Sequence, residues 1–233
     1  MKATRWFCFG SILLFFVPVW AQRGPYGSSP GMQAGRYGNT SVDSLPTQPL
    51  DTREKDSLLS LREEEKLARD VYLKLYEKWR VPVFDRIANS EQRHMDMIRS
   101  LLDRYGLADP VRESAVGVFK EDRYASLFQE LVRKGVSSYK EALTVGATIE
   151  DRDIHDLNGA MEITDNADLK TVYGRLRSGS YNHIRAFSGQ LKAQGAAYEA
   201  QYMRPEELRS ILSDAPPGSP GMGRRGRVGS RAL

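Results

Sequence analysis

The chain has 233 residues, a formal net charge of +4 and a single cysteine, Cys8. The positive charge lies at the two ends, because Lys2, Arg5 and four arginines after residue 220 leave about −2 for residues 22–214. The basic balance is therefore no evidence that the folded part binds nucleic acid. A single cysteine also excludes a disulfide framework and a metal site built from several thiolates.

The first 21 residues have the pattern of a secretory signal peptide. Two basic residues precede an apolar run that ends at Trp20, and Val19-Trp20-Ala21 provides a small-residue cleavage site. The run has about 15 residues, which is short for a membrane span. We therefore predict an exported protein, periplasmic or extracellular, whose mature chain begins near Gln22, lacks cysteine and keeps no stable membrane span. An uncleaved membrane anchor is the alternative.

Composition marks two further segments. Residues 22–50 are rich in Gly, Ser, Pro, Gln and Asn, which predicts a disordered linker. Residues 214–233 contain a Pro/Gly-rich stretch and the four arginines, and they are predicted to be a disordered basic tail. We interpret this tail as solvated, with contact to anionic lipid or a cell-surface polymer as the alternative. Residues 51–213 then form one folded domain, and an exported protein is not expected to bind nucleic acid.

This domain is predicted to be almost entirely helical. Apolar residues recur at spacings of three and four over four long segments, about 53–79, 82–105, 138–163 and 167–194. A short helix over about 123–134 lies in the long connection between the second and third. Two helical hairpins joined by a long crossover are typical of a ferritin-like four-helix bundle, an all-α fold. Alternatively, residues 106–136 could form a separate subdomain.

The second predicted helix has an apolar face, from Phe84 to Tyr105, that is interrupted only by Glu91 and His94. Residues three apart on a helix are neighbours, so the carboxylate and the imidazole would point to one place in the core. A buried charge is costly unless it is paired or bound to a metal. The Glu-x-x-His step therefore indicates a metal site inside the bundle.

The other three long helices also carry an acid or a histidine within the apolar stripe. Each hairpin thus supplies carboxylates first and a histidine second. Four carboxylates and two imidazoles describe a site for one or two ions, with iron or manganese preferred over zinc. The predicted metal ligands are Glu65, Glu91, His94, Glu150, Asp153 and His183.

Alternatives remain open for the acids. Glu64 could be the inward residue in place of Glu65, or the run Glu63-Glu64-Glu65 could be a solvated face. Glu150 and Asp153 could instead form an ion pair with Arg152. If α-helices over these segments were straight, Glu65 and Glu91 would also lie about 7 Å apart along the bundle axis, which counts against a shared site.

Alternatives remain open for the other polar residues too. His183 alone could be a hydrogen-bonded core residue without a metal. Tyr72 could donate a hydrogen bond to a ligand, or it could simply pack in the core. His155 lies off the apolar stripe and is interpreted as a surface residue.

Three segments, EKLARDVY (65–72), IANSEQRHM (87–95) and SYNHIRAF (180–187), carry a resemblance to a known family. Over roughly residues 53–195 the chain resembles the DUF2202 family of ferritin-like proteins, whose wider superfamily includes rubrerythrins and bacterioferritins. The resemblance implies a di-metal carboxylate site, with Asp153 as an additional acid beside ligand positions at Glu65, Glu91, His94, Glu150 and His183. A rubrerythrin-like fourth helix carries Glu-x-x-His, whereas this chain has Ser180 three residues before His183. One carboxylate is thus missing, which weakens the expectation of full two-iron oxidase chemistry.

Two functions from different classes follow. The first is an exported metal-binding bundle that could also be a di-metal oxidoreductase reacting its iron with oxygen or peroxide. Because the chain has no rubredoxin-type cysteine pairs, its electron donor would be another molecule. The second is a metal-free helical scaffold or interaction module outside the cytoplasm. Storage in a ferritin-like shell is a third, weaker option.

Overall fold

A computed structural model describes residues 42–213 of the chain. The predicted signal peptide (1–21), most of the predicted linker and the predicted basic tail (214–233) lie outside these residues. Between residues 42 and 213 the chain is all helical, without a strand, and none of its helices is both long and apolar enough to span a membrane. The elements are a 3-10 helix Val42–Ser44, α1 (Thr52–Trp79), α2 (Pro82–Arg104), α3 (Asp122–Gly135), α4 (Tyr139–Ile163), α5 (Ala167–Ala193) and α6 (Pro205–Ser213).

The starts of the long helices follow local capping chemistry. Asp51 precedes α1, and its side chain accepts a hydrogen bond from the backbone of Glu54, whose carboxylate accepts one from the backbone of Asp51 in return. Pro82 is the first residue of α2, where its missing N–H has no helical partner to lose. The Ser138 side chain accepts a backbone hydrogen bond at the start of α4. Asn166 precedes α5 but makes no capping hydrogen bond through its side chain.

Two helical hairpins form the body of the fold. α1 packs on α2 after a turn at residues 80–81, and α4 packs on α5. α1 also contacts α4, and α2 contacts α5, so each long helix has two long neighbours. This is the packing of a helical bundle.

The apolar core consists of two clusters along the bundle. The larger cluster includes Leu75 and Phe187, and the smaller one includes Leu61 and Ile98. On each long helix, the predicted ligands lie between residues of one cluster and residues of the other. The polar side chains therefore form a layer in the middle of the bundle.

The crossover and α3 belong to this same folded unit. α3 contacts both α1 and α4, and Tyr124 and Phe128 on α3 are part of the larger apolar cluster. Within α1, the buried Lys66 donates a hydrogen bond to the Ala115 carbonyl of the crossover at 2.8 Å. The alternative of a separate subdomain over residues 106–136 is therefore wrong, because buried side chains of α1 hold the crossover.

The structure adds two segments that the sequence pattern does not predict. Residues 42–50, which their composition assigns to the linker, contain the 3-10 helix and end with Leu50, buried in the smaller cluster. After α5, the buried Asp151 accepts hydrogen bonds from the Tyr198 hydroxyl and from the backbone of residues 201–203. α6 then packs on α5. The predicted linker thus differs from the structure over 42–50, because Val42 and Leu50 pack against the smaller cluster and Arg104 donates a hydrogen bond to the Leu45 carbonyl.

Candidate metal centre

Five of the six predicted ligands meet inside the bundle, and they come from all four long helices. Ligand atoms of Glu65, Glu91 and His94, the first triad, lie within 4.8 Å of one another. The same is true of Glu91, Glu150 and His183, the second triad. All five side chains are buried. Glu65 and Glu91 share one triad, so the offset of about 7 Å that ideal straight helices would give does not keep them apart.

Glu91 is common to both triads. Its Oε2 lies 2.7 Å from Nδ1 of His94, and its Oε1 lies 2.8 Å from Nδ1 of His183. Neither oxygen accepts a hydrogen bond, although both are buried, so the short contacts lack the direction that a hydrogen bond needs. The four atoms thus converge without pairing as donors and acceptors. Glu91 could therefore hold a cation together with His94 and another together with His183.

One outer carboxylate completes each triad. Glu65 Oε2 lies 3.2 Å from Nδ1 of His94, and Glu150 Oε2 lies 3.3 Å from Nδ1 of His183. The two imidazole rings stack, with centroids 5.5 Å apart and an interplanar angle of 27°. The same Glu–His contact therefore occurs once in each hairpin, as the repeated pattern of acids and histidines predicts.

Tyr72 fixes one oxygen of Glu150. The Tyr72 hydroxyl donates a hydrogen bond of 2.6 Å to Oε1 of Glu150, and the Gly146 carbonyl lies 3.3 Å from the same hydroxyl. Burial, with the charge of Glu150 nearby, raises the pKa of Tyr72 well above 10, so the hydroxyl stays protonated. Tyr72 also packs against Phe187 at a centroid distance of 5.3 Å. Tyr72 thus donates a hydrogen bond to a predicted ligand and also packs in the core. The other oxygen of Glu150, Oε2, faces His183.

Asp153 lies beside the triads but belongs to neither. Its side chain is buried, and its Oδ2 has no hydrogen-bond partner. Burial raises the pKa of Asp153 well above its ordinary value, and the negative charges of Glu65, Glu150 and Glu91 raise it further. The structure therefore places this sixth predicted residue near the centre as an additional acid.

The competing interpretations of the acidic run on α1 do not hold. Glu63, Glu64 and Glu65 are all buried: the crossover covers Glu63, α3 covers Glu64, and Glu65 faces the bundle core. The Glu64 carboxylate accepts hydrogen bonds from Ser60 and Tyr124 at 3.0 and 2.9 Å and takes no part in either triad. The run is thus not a solvated face, and Glu65 is the residue that reaches the centre.

Arg152 and His155 also have other surroundings. Arg152 pairs with Asp156 at 3.3 Å and with Glu64 at 3.9 Å, and Glu150 contacts His183 instead. His155 is exposed. The centre therefore contains no arginine that would replace a metal as the partner of Glu150.

Two small residues of α5, Gly179 and Ser180, lie at this level of the helix. Ser180 is buried, and its hydroxyl donates to the Leu176 carbonyl at 3.3 Å, so it is not placed as a ligand. A Cβ atom at position 179 would lie 2.5 Å from Nε2 of His94. Gly179 therefore leaves the space that the imidazole occupies. The sequence signal for it was a glycine inside a helix, which periodicity alone does not interpret.

The charges of the triads compensate one another. Burial alone would lower the pKa of the histidines, but the carboxylates, Glu91 foremost, raise that of His183 to about 10 and that of His94 well above 6.5. Burial alone would raise the pKa of Glu91, but His183 and His94 bring it well below its ordinary value. Burial raises the pKa of Glu65 to about 7. The histidines are thus protonated at neutral pH without a cation, so binding a cation would release protons.

Comparisons with known proteins agree with the family resemblance. The family DUF2202, described as an uncharacterized protein domain, matches residues 54–215, which contain all six predicted ligands. The uncharacterized protein MJ0754 of Methanocaldococcus jannaschii is 49% identical over 174 residues, which cover 75% of this chain and 94% of that protein. A crystal structure of the hypothetical protein MJ0754 from Methanococcus jannaschii has a TM-score of 0.73 to this chain. That match is 49% identical in sequence and covers 74% of this chain and 98% of the solved chain.

Proposed function

The chain belongs to the DUF2202 family, and we propose that it is a ferritin-like metal-binding protein with iron or manganese in the bundle core. The observation that carries this proposal is the environment of Glu91. Its two buried oxygens lie 2.7 and 2.8 Å from two imidazoles yet accept no hydrogen bond. Buried carboxylate oxygens that make no hydrogen bond are costly, and a cation bound between carboxylate and imidazole would offset that cost.

The donor set favours iron or manganese. Each triad offers two carboxylates and one imidazole, and the only cysteine of the chain is Cys8, in the predicted signal peptide. Oxygen donors with some imidazole suit Mn and Fe, whereas zinc sites usually contain more imidazole or thiolate. Sharing of Glu91 supports one or two ions per chain, with zinc as the less favoured metal.

The helix order supports a ferritin-like arrangement. Two hairpins, α1–α2 and α4–α5, are joined by a long connection that contains α3. In ferritin-like proteins, carboxylates and Glu-x-x-His steps on facing helices hold the metals in the bundle core. Here the triads take residues from all four long helices, and Glu91 and His94 supply the single Glu-x-x-His step.

Oxidoreductase chemistry with oxygen or peroxide is the finer form of this proposal. A bound pair of iron or manganese ions would supply the change of oxidation state. The chain's own residues would bind and orient the pair, exclude water through the two apolar clusters, and hold Glu150 in position through Tyr72. An external electron donor would be needed, since the chain has no cysteine pair for a second metal site.

Metal analysis of the purified protein tests the proposal. Protein treated with a chelator is expected to bind up to two Fe(II) or Mn(II) ions per chain in an anaerobic titration. At a free metal concentration of about 100 Kd, binding should stabilise the fold by about 2.7 kcal/mol per site. Urea unfolding with and without metal measures this change. No uptake of either ion, with no change in stability, would contradict the proposal.

The two sites are expected to differ in affinity. His94 shares α2 with Glu91, one turn away, whereas His183 has only Ser180 at the corresponding position of α5. We therefore expect one tight and one weak ion per chain, and slow or absent oxidase turnover. Loss of a residue that only hydrogen-bonds to a metal ligand lowers metal affinity by about 10- to 100-fold. H94A removes a ligand itself, so the affinity of the tight site should fall by more than about 100-fold. H183A should weaken mainly the second ion.

Anaerobic titration of these two variants with Fe(II) measures the difference. H155A is the matched control, because His155 is exposed and outside both triads, and it should bind as the wild type does. Two equally tight ions in the wild type, or a larger loss in H183A than in H94A, would show that another residue replaces the missing carboxylate of α5.

A second candidate is a metal-free scaffold or interaction module. The observation that favours it is the mutual charge compensation of the triads, since the carboxylates raise the pKa of both histidines. Such ion pairs could hold the four helices together without a cation. In that case a chelator would leave stability unchanged, whereas H94A and H183A would destabilise the chelated protein.

Export is a proposal that rests on the sequence alone. The basic start, the short apolar run and the Val19-Trp20-Ala21 step support a cleaved signal peptide and a periplasmic or extracellular protein. N-terminal sequencing of protein from the native host decides this, because a mature chain should begin near Gln22. A retained Met1 would refute it.

A further inference from the structure

A small crevice lies between α1, α3 and α4, against the segment that follows α5. Its void measures about 30 Å³, which is room for about one water-sized ligand. Glu64, Ile149 and Asp153 line it on the side of the bundle, and Leu131, Arg152 and Tyr202 also contribute to its walls. Tyr202 is 41% exposed, so the crevice opens to solvent there.

The inner wall of the crevice adjoins the metal centre. Glu64 precedes Glu65 in α1, and Ile149 precedes Glu150 in α4, so the residues next to both outer carboxylates in the chain line the crevice. Asp153 lies one turn after Glu150 and interacts electrostatically with Glu65 and Glu150. Asp153 thus lines the crevice and also interacts with a carboxylate of each triad.

Asp153 has an oxygen without a partner. The residue is only 6% exposed, and its Oδ2 makes no hydrogen bond. The Glu64 carboxylate, by contrast, is held by Ser60 and Tyr124. Among the acids that line the crevice, Asp153 is therefore the one with a buried oxygen that makes no hydrogen bond.

The outer part of the crevice does not repel a cation. Arg152 is the positive residue in its wall, and its charge is offset by Asp156 at 3.3 Å and Glu64 at 3.9 Å. The backbone N–H of the rim residue Tyr202 donates a hydrogen bond to Asp151 at 3.1 Å. A divalent ion would meet a compensated rim first and the carboxyl group of Asp153, which has no hydrogen-bond partner at Oδ2, further in.

We propose that this crevice is the route by which a divalent cation reaches the metal centre, and that Asp153 binds the ion in transit and transfers it to the triads. The inference rests on the proposed metal-binding function. It accounts for a buried carboxylate that lies beside both triads but belongs to neither. A ligand in transit must be close enough to exchange the ion and must not be needed in the final coordination.

The rate of metal uptake tests this route. Full-length protein treated with a chelator is mixed with Co(II) in a stopped-flow instrument, and the absorbance of bound Co(II) gives the association rate. Equilibrium affinity is measured separately by titration. D153N should slow association and dissociation alike by about 10-fold and leave the affinity unchanged, because a transit ligand changes rates only. L131W should act in the same direction by narrowing the crevice.

Two further variants complete the experiment. L59W is the matched control for L131W, because Leu59 is a partly buried leucine packed against the smaller apolar cluster, and it should take up Co(II) at the wild-type rate. Y202A opens the rim at an exposed position and should speed uptake, so it decides the question if L131W does not fold.

The outcomes separate this inference from the function on which it rests. A wild-type protein that takes up no Co(II) would remove the metal-binding function itself. If D153N lowers the affinity through faster dissociation alone, Asp153 is a resident ligand and the transfer role is wrong. Wild-type rates in D153N, L131W and Y202A would overturn the route while leaving the metal centre in place.

Discussion

Replacing Glu91 with glutamine is expected to abolish binding of both metal ions. Glu91 is the residue common to the two triads, and each of its oxygens lies within 2.8 Å of a different imidazole. Glutamine keeps the shape but removes the charge and turns one oxygen into an amide nitrogen, which is not a metal ligand. Loss of a residue that only hydrogen-bonds to a metal ligand lowers metal affinity by roughly 10- to 100-fold, and the loss of Glu91 should lower it by more at both sites. Anaerobic titration with Fe(II) or Mn(II) measures it.

The matched controls for E91Q are E65Q and E150Q, because each outer carboxylate belongs to one triad only. E65Q should remove the first ion and spare the second, and E150Q should do the reverse. E91Q should also destabilise the metal-free protein by about 3 kcal/mol, since it leaves two buried imidazoles without their shared counter-charge. Near wild-type binding of two ions by E91Q would show that Glu91 does not bridge them.

The helices and most of the centre could be predicted from the sequence because both depend on periodicity. Spacings of three and four define the buried face of a helix, and a charged residue on that face must meet a partner in the core. Glu91 and His94 stand out for this reason, on an otherwise apolar stripe of α2. The repetition of acid and histidine in the second hairpin then predicts that four helices meet at one level.

Periodicity does not predict how far a side chain reaches along a helix or what covers it. Asp153 lies on the same stripe as Glu150, yet it lines a crevice beside the centre and is in neither triad. Glu63 and Glu64 look like surface residues, and they are buried because α3 and the crossover cover α1. Contacts with a distant segment decide both cases, and the local pattern carries no information about them.

Gly179 is a residue whose role only the structure reveals, and G179A is expected to disrupt the first triad. A Cβ at this position would lie 2.5 Å from Nε2 and 2.7 Å from Cε1 of His94, so the imidazole would have to move. A displaced His94 loses its Nδ1 contacts with Glu65 and Glu91, at 3.2 and 2.7 Å. We expect the affinity of the tight site to fall by about 10- to 100-fold, the range known for residues that orient metal ligands. Anaerobic titration measures this loss.

The stability of the metal-free variant distinguishes this role from a general packing defect. Alanine in place of a helical glycine normally stabilises by about 0.5–1 kcal/mol, whereas overpacking a core costs about 1–3 kcal/mol, so G179A should be neutral or mildly destabilising. G189A is the matched control in the same helix, because a Cβ there would meet nothing within 4 Å. It should show the full stabilisation in urea unfolding and bind metal as the wild type does. A G179A protein with unchanged affinity would mean that His94 can move aside without leaving its ligand position, and that Gly179 serves packing alone.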